Sequence, residues 1–176
     1  DSFFKRVGTL QEGLDADLAI SRRAAYLKVG ADSFASNPFL GTGTDTFRAV
    51  WYNSPVSKRF KHSYRYAHNT YMEVLVGSGV LGLVAFLALL ARTFMNYTQA
   101  AEKFRERGET QMLSLTKAYR LSFICVITYL LLLSAIEHKL LLLAIAFSDI
   151  ALRMATSENG PESAGPQAEA GKNRKS

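Results

Sequence analysis

From Val74 to Ala91 the chain runs for eighteen residues without a charged side chain. With Met72 and Glu73 added, the segment MEVLVGSGVLGLVAFLALLA reaches twenty residues, and a helix of that length rises about 30 Å, the thickness of a bilayer's hydrocarbon core. A membrane-crossing helix is therefore the expected structure, since it satisfies its own backbone polar groups where no water can. Gly77, Gly79 and Gly82 would weaken a soluble helix, whereas small residues between membrane helices permit close approach. This face is expected to pack on other helices. Thr70 and Glu73 have the T-x-x-E spacing of a capping box, which starts the helix near Tyr71.

The average composition conceals this segregation, because 48% hydrophobic residues and a mean hydropathy of +0.02 describe an ordinary globular chain. The long apolar runs exclude a fully disordered or collagen-like chain, and the single cysteine excludes a disulfide-stapled module. Cys125 lies inside an apolar run and reads as a small core hydrophobe. A second uncharged run, sixteen residues from Leu121 to Ile136, predicts a transmembrane helix over 119–136 once Ala118 and Tyr119 extend it at the interface. The third segment, over 139–154, carries Asp149; a short spanning helix is favoured, with a re-entrant or interfacial helix as the alternative. The expected fold is an all-α membrane protein: a helical loop region over 1–70, then two to three transmembrane helices. A chain that begins at Asp1 without methionine or signal peptide reads as the C-terminal part of a larger multi-helix bundle.

Charge sets the expected orientation. The stretch from Arg92 to Arg120 holds six Lys or Arg against the single Lys139 in the next turn, so the positive-inside rule places the basic linker 93–118 in the cytoplasm. Residues 1–70 and the Glu137–Lys139 turn then lie outside. The tail over 155–176, small, polar and rich in Pro and Gly, reads as a disordered cytoplasmic terminus.

The external region carries ten Lys or Arg against six Asp or Glu. Solvated helix surface accounts for such an excess, and so does an anionic ligand, phosphate above all, held at the outer interface. Leu14, Leu18, Ala25 and Val29 form one stripe of an amphipathic helix over 14–34, with Asp15 and Asp17 in its first turn. Pro38 helps to end that helix, and Gly41 and Gly43 allow tight turns in NPFLGTGTDTF. No Gly-Lys-Ser/Thr follows and no strand precedes, so neither a P-loop nor a dinucleotide fingerprint is present. From Trp51 to Tyr71, aromatics alternate with Lys58, Arg59, Lys61 and Arg65, which suits a membrane-interface belt or a sugar and phosphate site. Nucleic acid is discounted for an outer-face loop. His62 and His68 have no metal-ligand spacing around them, so no metal is expected. His68 lies just before the long helix, at the mouth where the loop meets the bilayer, and an imidazole there can act as a base near neutral pH.

The string AHNTYMEVLVGSGVLGLVAFLALLART, read with NPFLGTGTDTF about thirty residues upstream and Arg22 about fifteen before that, resembles the C-terminal half of the O-antigen ligase and polymerase family. The resemblance covers residues 21–91. It implies a multi-pass glycosyltransferase of the bacterial inner membrane, with residues 1–70 periplasmic, that moves a glycan from a polyprenyl diphosphate onto an acceptor hydroxyl. Lipid A core is the acceptor under the family's usual label of ligase. Polymerisation of O-antigen or exopolysaccharide, and transfer to a protein hydroxyl, share these motifs; a non-catalytic transporter or scaffold segment is the alternative of another class. By position, His68 is the implied base and Arg22 the implied diphosphate ligand. Arg23 can exchange roles with Arg22, because members have Gly-Arg where this chain has Arg-Arg, and Tyr26 stands where many have Trp. Asn69, Glu73, Arg65 and Tyr71 are candidates for support, although Asn69 and Glu73 also suit helix-start roles. The implied partners are the lipid-linked donor, the glycan, lipid or protein acceptor, and membrane lipids, with no cofactor.

Overall fold

The computed structural model describes residues 11–60, 63–133 and 139–157. Among them all regular structure is helical, as the sequence predicts: α1 (Gln11–Ser36), α2 (Phe47–Asn53), a 3-10 turn (Pro55–Phe60), α3 (Thr70–Glu106), α4 (Thr110–Tyr129) and α5 (Lys139–Thr156). The expected tail falls from residue 158 onward outside the described residues, as do His62 and the Glu137–His138 part of the outer turn.

Helices α3, α4 and α5 run back and forth against one another. The α4 end returns to the α3 start, where the Thr70 N–H donates to the Leu130 carbonyl at 2.9 Å and the Thr70 hydroxyl to the Leu133 carbonyl at 2.6 Å. Leu90, Tyr97, Phe123, Leu130 and Leu141 form their shared core, and Ala100, Phe104 and Ala155 close its far end. Buried polar groups along the α3–α5 seam are paired: the Tyr97 hydroxyl donates to the Ala144 carbonyl at 2.7 Å and Asn96 Nδ2 to Ser148 Oγ at 3.4 Å. Unpaired, such groups would each cost about 1–3 kcal/mol.

Among the described residues α3 is the one helix long and apolar enough to cross a membrane. It does not stop near Arg92 but continues to Glu106, and only Arg107–Glu109 separate it from α4. The stretch read as a basic linker is thus largely helical. Helix α4 ends at Tyr129, short of the expected Ile136, and α5 carries Lys139, Asp149 and Arg153 within eighteen residues. Cys125 is exposed on α4 rather than buried, because an uncharged run does not reveal which of its faces meets protein.

The loop region packs separately. Tyr26 and Val29 of α1 meet Phe47 and Trp51 of α2, Ala67 and Val76, with Ala25, Val50, Val56, Phe60 and Met72 around them. Val29 and Ala25 thus take part in the predicted apolar stripe, joined by Tyr26, while Leu14 and Leu18 lie outside the described side chains. Gly30 completes the face, since a Cβ there would lie 2.5 Å from Met72 Sδ.

The glycines of α3 serve a different contact from the one predicted. At Gly79 the helix breaks, with φ 65° and ψ −166°, a conformation essentially restricted to glycine. A straight helix would join the Val80 N–H to the Val76 carbonyl and the Leu81 N–H to the Gly77 carbonyl. Here each of the four groups finds a partner in the NPFLGTG turn. The Thr42 and Gly43 N–H groups donate to the Val76 and Gly77 carbonyls, both at 2.8 Å, and Val80 N–H donates to the Pro38 carbonyl at 2.8 Å and Leu81 N–H to that of Phe39 at 3.4 Å. The backbones approach so closely that a Cβ on Gly77 would lie 2.8 Å from the Gly43 carbonyl oxygen, and one on Gly79 would overlap the Phe39 carbonyl. The close-packing partner is therefore a turn of the loop region, not another helix.

Candidate functional site

The start of α3 fixes the backbone on both sides of His68. Asn69 is the N-cap, its side-chain oxygen accepting from the Met72 N–H at 3.0 Å, and the Glu73 carboxylate accepts from the Ala67 N–H at 2.8 Å. The predicted capping box is thus displaced by one residue: Asn69 rather than Thr70 caps, because the Thr70 hydroxyl is committed to α4. Between Ala67 and Asn69, His68 has φ 52°, a left-handed conformation that His tolerates better than most residues. His68 is exposed at the corner where the loop turns into the long helix.

One side of the imidazole lies against Tyr26, with ring centroids 5.9 Å apart. Loss of water from that side, reinforced by the positive charges of Arg23, Arg65 and Arg22, holds the His68 pKa below its ordinary 6.5. Both causes disfavour imidazolium. The ring is consequently neutral at pH 7 and able to accept a proton.

Arg22, Arg23 and Arg65 are thus brought to one place by α1 and the segment before α3, although forty-two positions separate Arg23 from Arg65 in the sequence. Arg65 donates from Nε to Ser63 Oγ at 3.1 Å. Arg23 is exposed and Arg22 half-buried. The Arg22 Nε is buried without a hydrogen-bond partner, as are the Tyr26 hydroxyl and Trp51 Nε1. Tyr26 meets Trp51 edge to face at 4.6 Å on one side and His68 on the other, and of the three orphaned atoms Arg22 Nε and Trp51 Nε1 can only donate. Tyr26 and Trp51 are themselves core residues, so it is the half-buried Arg22 near His68 that suits an acceptor-rich ligand, and phosphate oxygens are the strongest acceptors for a guanidinium fork.

Tyr71 does not join this group. Its hydroxyl donates to the Ile127 carbonyl at 2.9 Å, tying α3 to α4. Of the candidate support residues, Asn69 and Glu73 hold the backbone around the imidazole, Arg65 adds charge, and Tyr71 stabilises the helix pair. Tyr26, at a position where many family members have Trp, and Trp51 pack beneath the site; as aromatics with a polar atom, they look in the sequence like any other core residues. Among the described residues no group of three His, Cys, Asp or Glu is placed to hold a metal ion.

No curated protein matches the chain. Residues 2–87 match the family model described as O-antigen ligase. The match spans α1, the turn, the arginine cluster, His68 and the kinked first half of α3, and a neutral imidazole ringed by guanidinium groups at the head of an apolar helix is chemistry suited to the membrane glycosyltransferases of ligase or polymerase type that the family comprises. By its motifs and by this match, the region that carries the candidate site belongs to the O-antigen ligase family.

Proposed function

We propose that this chain carries the site of an inner-membrane enzyme that transfers a glycan from a polyprenyl diphosphate to an acceptor hydroxyl, with ligation to lipid A core as the first assignment. The observation that carries the reading is the grouping of Arg22, Arg23 and Arg65 about a His68 kept neutral, with the Arg22 Nε buried and unpartnered. In the proposed reaction His68 accepts the proton of the acceptor hydroxyl as its oxygen attacks the anomeric carbon from the side opposite the diphosphate. The new carbon–oxygen bond forms while the bond to the phosphate oxygen breaks, and the lipid diphosphate leaves with the electron pair. The anomeric centre inverts in this single displacement. The arginines neutralise the charge that develops on the leaving group, which is the task a metal ion performs elsewhere, so the reading is metal-independent. The imidazolium then returns its proton to water.

Placement supports the same assignment. The prenyl tail must stay in lipid while the glycan extends into water, and His68, immediately before the apolar helix, would in this reading lie at the height where these two media meet. In this reading residues 1–70 are periplasmic, α4 and α5 also cross the bilayer, and the tail is cytoplasmic. Polymerase or protein O-glycan transferase activity would use the same groups on a different acceptor. The test is complementation of a strain lacking its ligase, with long-chain surface glycan as readout. His68→Ala is expected to abolish display at normal protein level; wild-type display by that variant would overturn the enzymatic reading.

A further inference from the structure

The segment leading to His68 has a second ordered face. From Tyr64 to His68 exposure alternates: Tyr64, Tyr66 and His68 are exposed, Arg65 is half-buried and Ala67 is buried. Alternation is the pattern of extended backbone, where every second side chain lies on the same side. Tyr64 and Tyr66 therefore share one side of the chain, about 6.6 Å apart, and the run ends two residues later at the exposed His68, whose left-handed backbone turns the chain into α3. Both rings are held by other loop residues although Tyr64 is 57% and Tyr66 42% exposed. Tyr64 lies flat on Tyr52, centroids 4.3 Å apart and planes 3° from parallel. The Arg48 guanidinium sits 4.9 Å from the centre of the Tyr66 ring and donates from Nη1 to its hydroxyl at 3.3 Å.

We propose that Tyr64 and Tyr66 form a stacking platform for neutral pyranose rings, along which the glycan is led to His68. The C–H face of a pyranose carries partial positive charge and is apolar, matching the negative face of a phenol ring, while the sugar's hydroxyls point outward from its edge. The phenol hydroxyls lie at the ring edges to bond them, that of Tyr66 held by Arg48, which covers one face of its ring. Rings fixed beforehand bind at a smaller entropic cost than mobile ones. The rings are held in fixed orientation by Tyr52 and Arg48, a pre-formed arrangement that suits a glycan better than the mobile aromatics of a membrane-interface belt. The inference rests on the assignment of His68 as the transfer centre and adds the residues that select sugar; the glycan comes either from the donor or from the acceptor.

The experiment uses the full-length protein in lipid nanodiscs and saturation-transfer NMR with two probes: oligosaccharide repeat units released from the host's own surface polysaccharide, and lipid A core oligosaccharide. Saturation of sugar ring protons by one probe is expected, and which probe responds identifies the source. The paired variant Tyr64→Ala with Tyr66→Ala is expected to weaken that binding at least about fivefold, whereas Tyr64→Phe with Tyr66→Phe, which keeps both faces, retains most of it. Unchanged binding by the Ala pair, or no saturation of either probe by the wild type, overturns the platform. So does strong quenching of Tyr64→Trp fluorescence by brominated lipids, which would make the face a membrane belt. His68→Ala separates the two readings: binding kept with transfer abolished supports both, whereas binding lost only in the Ala pair while His68→Ala still transfers supports the platform and removes the base.

Discussion

Replacing Gly79 by Ala tests the docking of the loop onto α3. In the native conformation, φ 65° and ψ −166°, an L-residue costs about 1–3 kcal/mol, and the added Cβ overlaps the Phe39 carbonyl. The alternative is a straightened helix. That releases four hydrogen bonds between α3 and the turn, each contributing about 0.5–1.5 kcal/mol, and regains two within the helix, for a net loss of about 1–3 kcal/mol. Either route destabilises the docked turn by about 2 kcal/mol, a factor of roughly thirty in its opening equilibrium. Hydrogen–deuterium exchange of the protein in nanodiscs reads this directly, because the Thr42 and Gly43 amides owe their protection to the Val76 and Gly77 carbonyls. Their exchange is expected to accelerate roughly thirtyfold in Gly79→Ala. Gly108→Ala is the control: Gly108 also has φ 73°, but its Cβ would meet nothing within 4 Å, so it costs about 1 kcal/mol locally and leaves those amides unchanged. Protection of Thr42 and Gly43 that survives Gly79→Ala would refute the swap of backbone partners.

Other expectations concern the site. Arg22→Lys keeps the charge but loses the fork and the buried Nε, so transfer is expected to fall about 10- to 100-fold; full activity in a transfer assay would move the assignment to Arg23 or Arg48. The lowered His68 pKa predicts that transfer is flat near neutrality and declines only well below pH 6.5, visible in a kcat/KM profile. The same shift makes folding stability complete above pH 6.5 and progressively smaller as pH falls from there towards the folded-state pKa, since the unfolded chain takes up the proton first; His68→Gln should flatten that slope in thermal melts. Glu73→Ala removes the acceptor of the Ala67 N–H and is expected to cost about 1 kcal/mol of stability while lowering kcat more than it raises KM. Tyr26→Phe deletes a buried hydroxyl without a partner, so in ligand-free protein Tm should hold or rise; a marked drop would mean that the hydroxyl is satisfied.

Much of this arrangement can be read from residue types. The uncharged run from Val74 marks α3, Pro38 and the glycines mark the turn, and His68 and the arginines stand out as charge beside an apolar segment. What is illegible is partnership. Gly77 and Gly79 announce close backbone approach, but helix and turn offer the same carbonyls and amides to a glycine, and nothing local says which one arrives. Asn69 and Thr70 are both good caps, and the choice between them depends on Leu133, sixty-three positions away from Thr70. Cys125 illustrates the same limit for burial. The meeting of Arg65 with Arg22 and Arg23 follows from Ala67 and His68 packing against Tyr26, contacts that composition cannot distinguish from any others.

The broken helix at Gly79 also dictates an order of assembly. About nine residues into α3, roughly 14 Å from its start, two carbonyls and two amides are left for residues 38–43 to satisfy, and lipid cannot substitute for them. The upstream loop must therefore wait for the downstream helix to be inserted before either is complete, although ribosomes deliver the loop first. A soluble preparation of the loop alone would carry an open edge at Pro38, Phe39, Thr42 and Gly43, and antibodies or inhibitors raised against it would be selected on a surface that the folded protein hides.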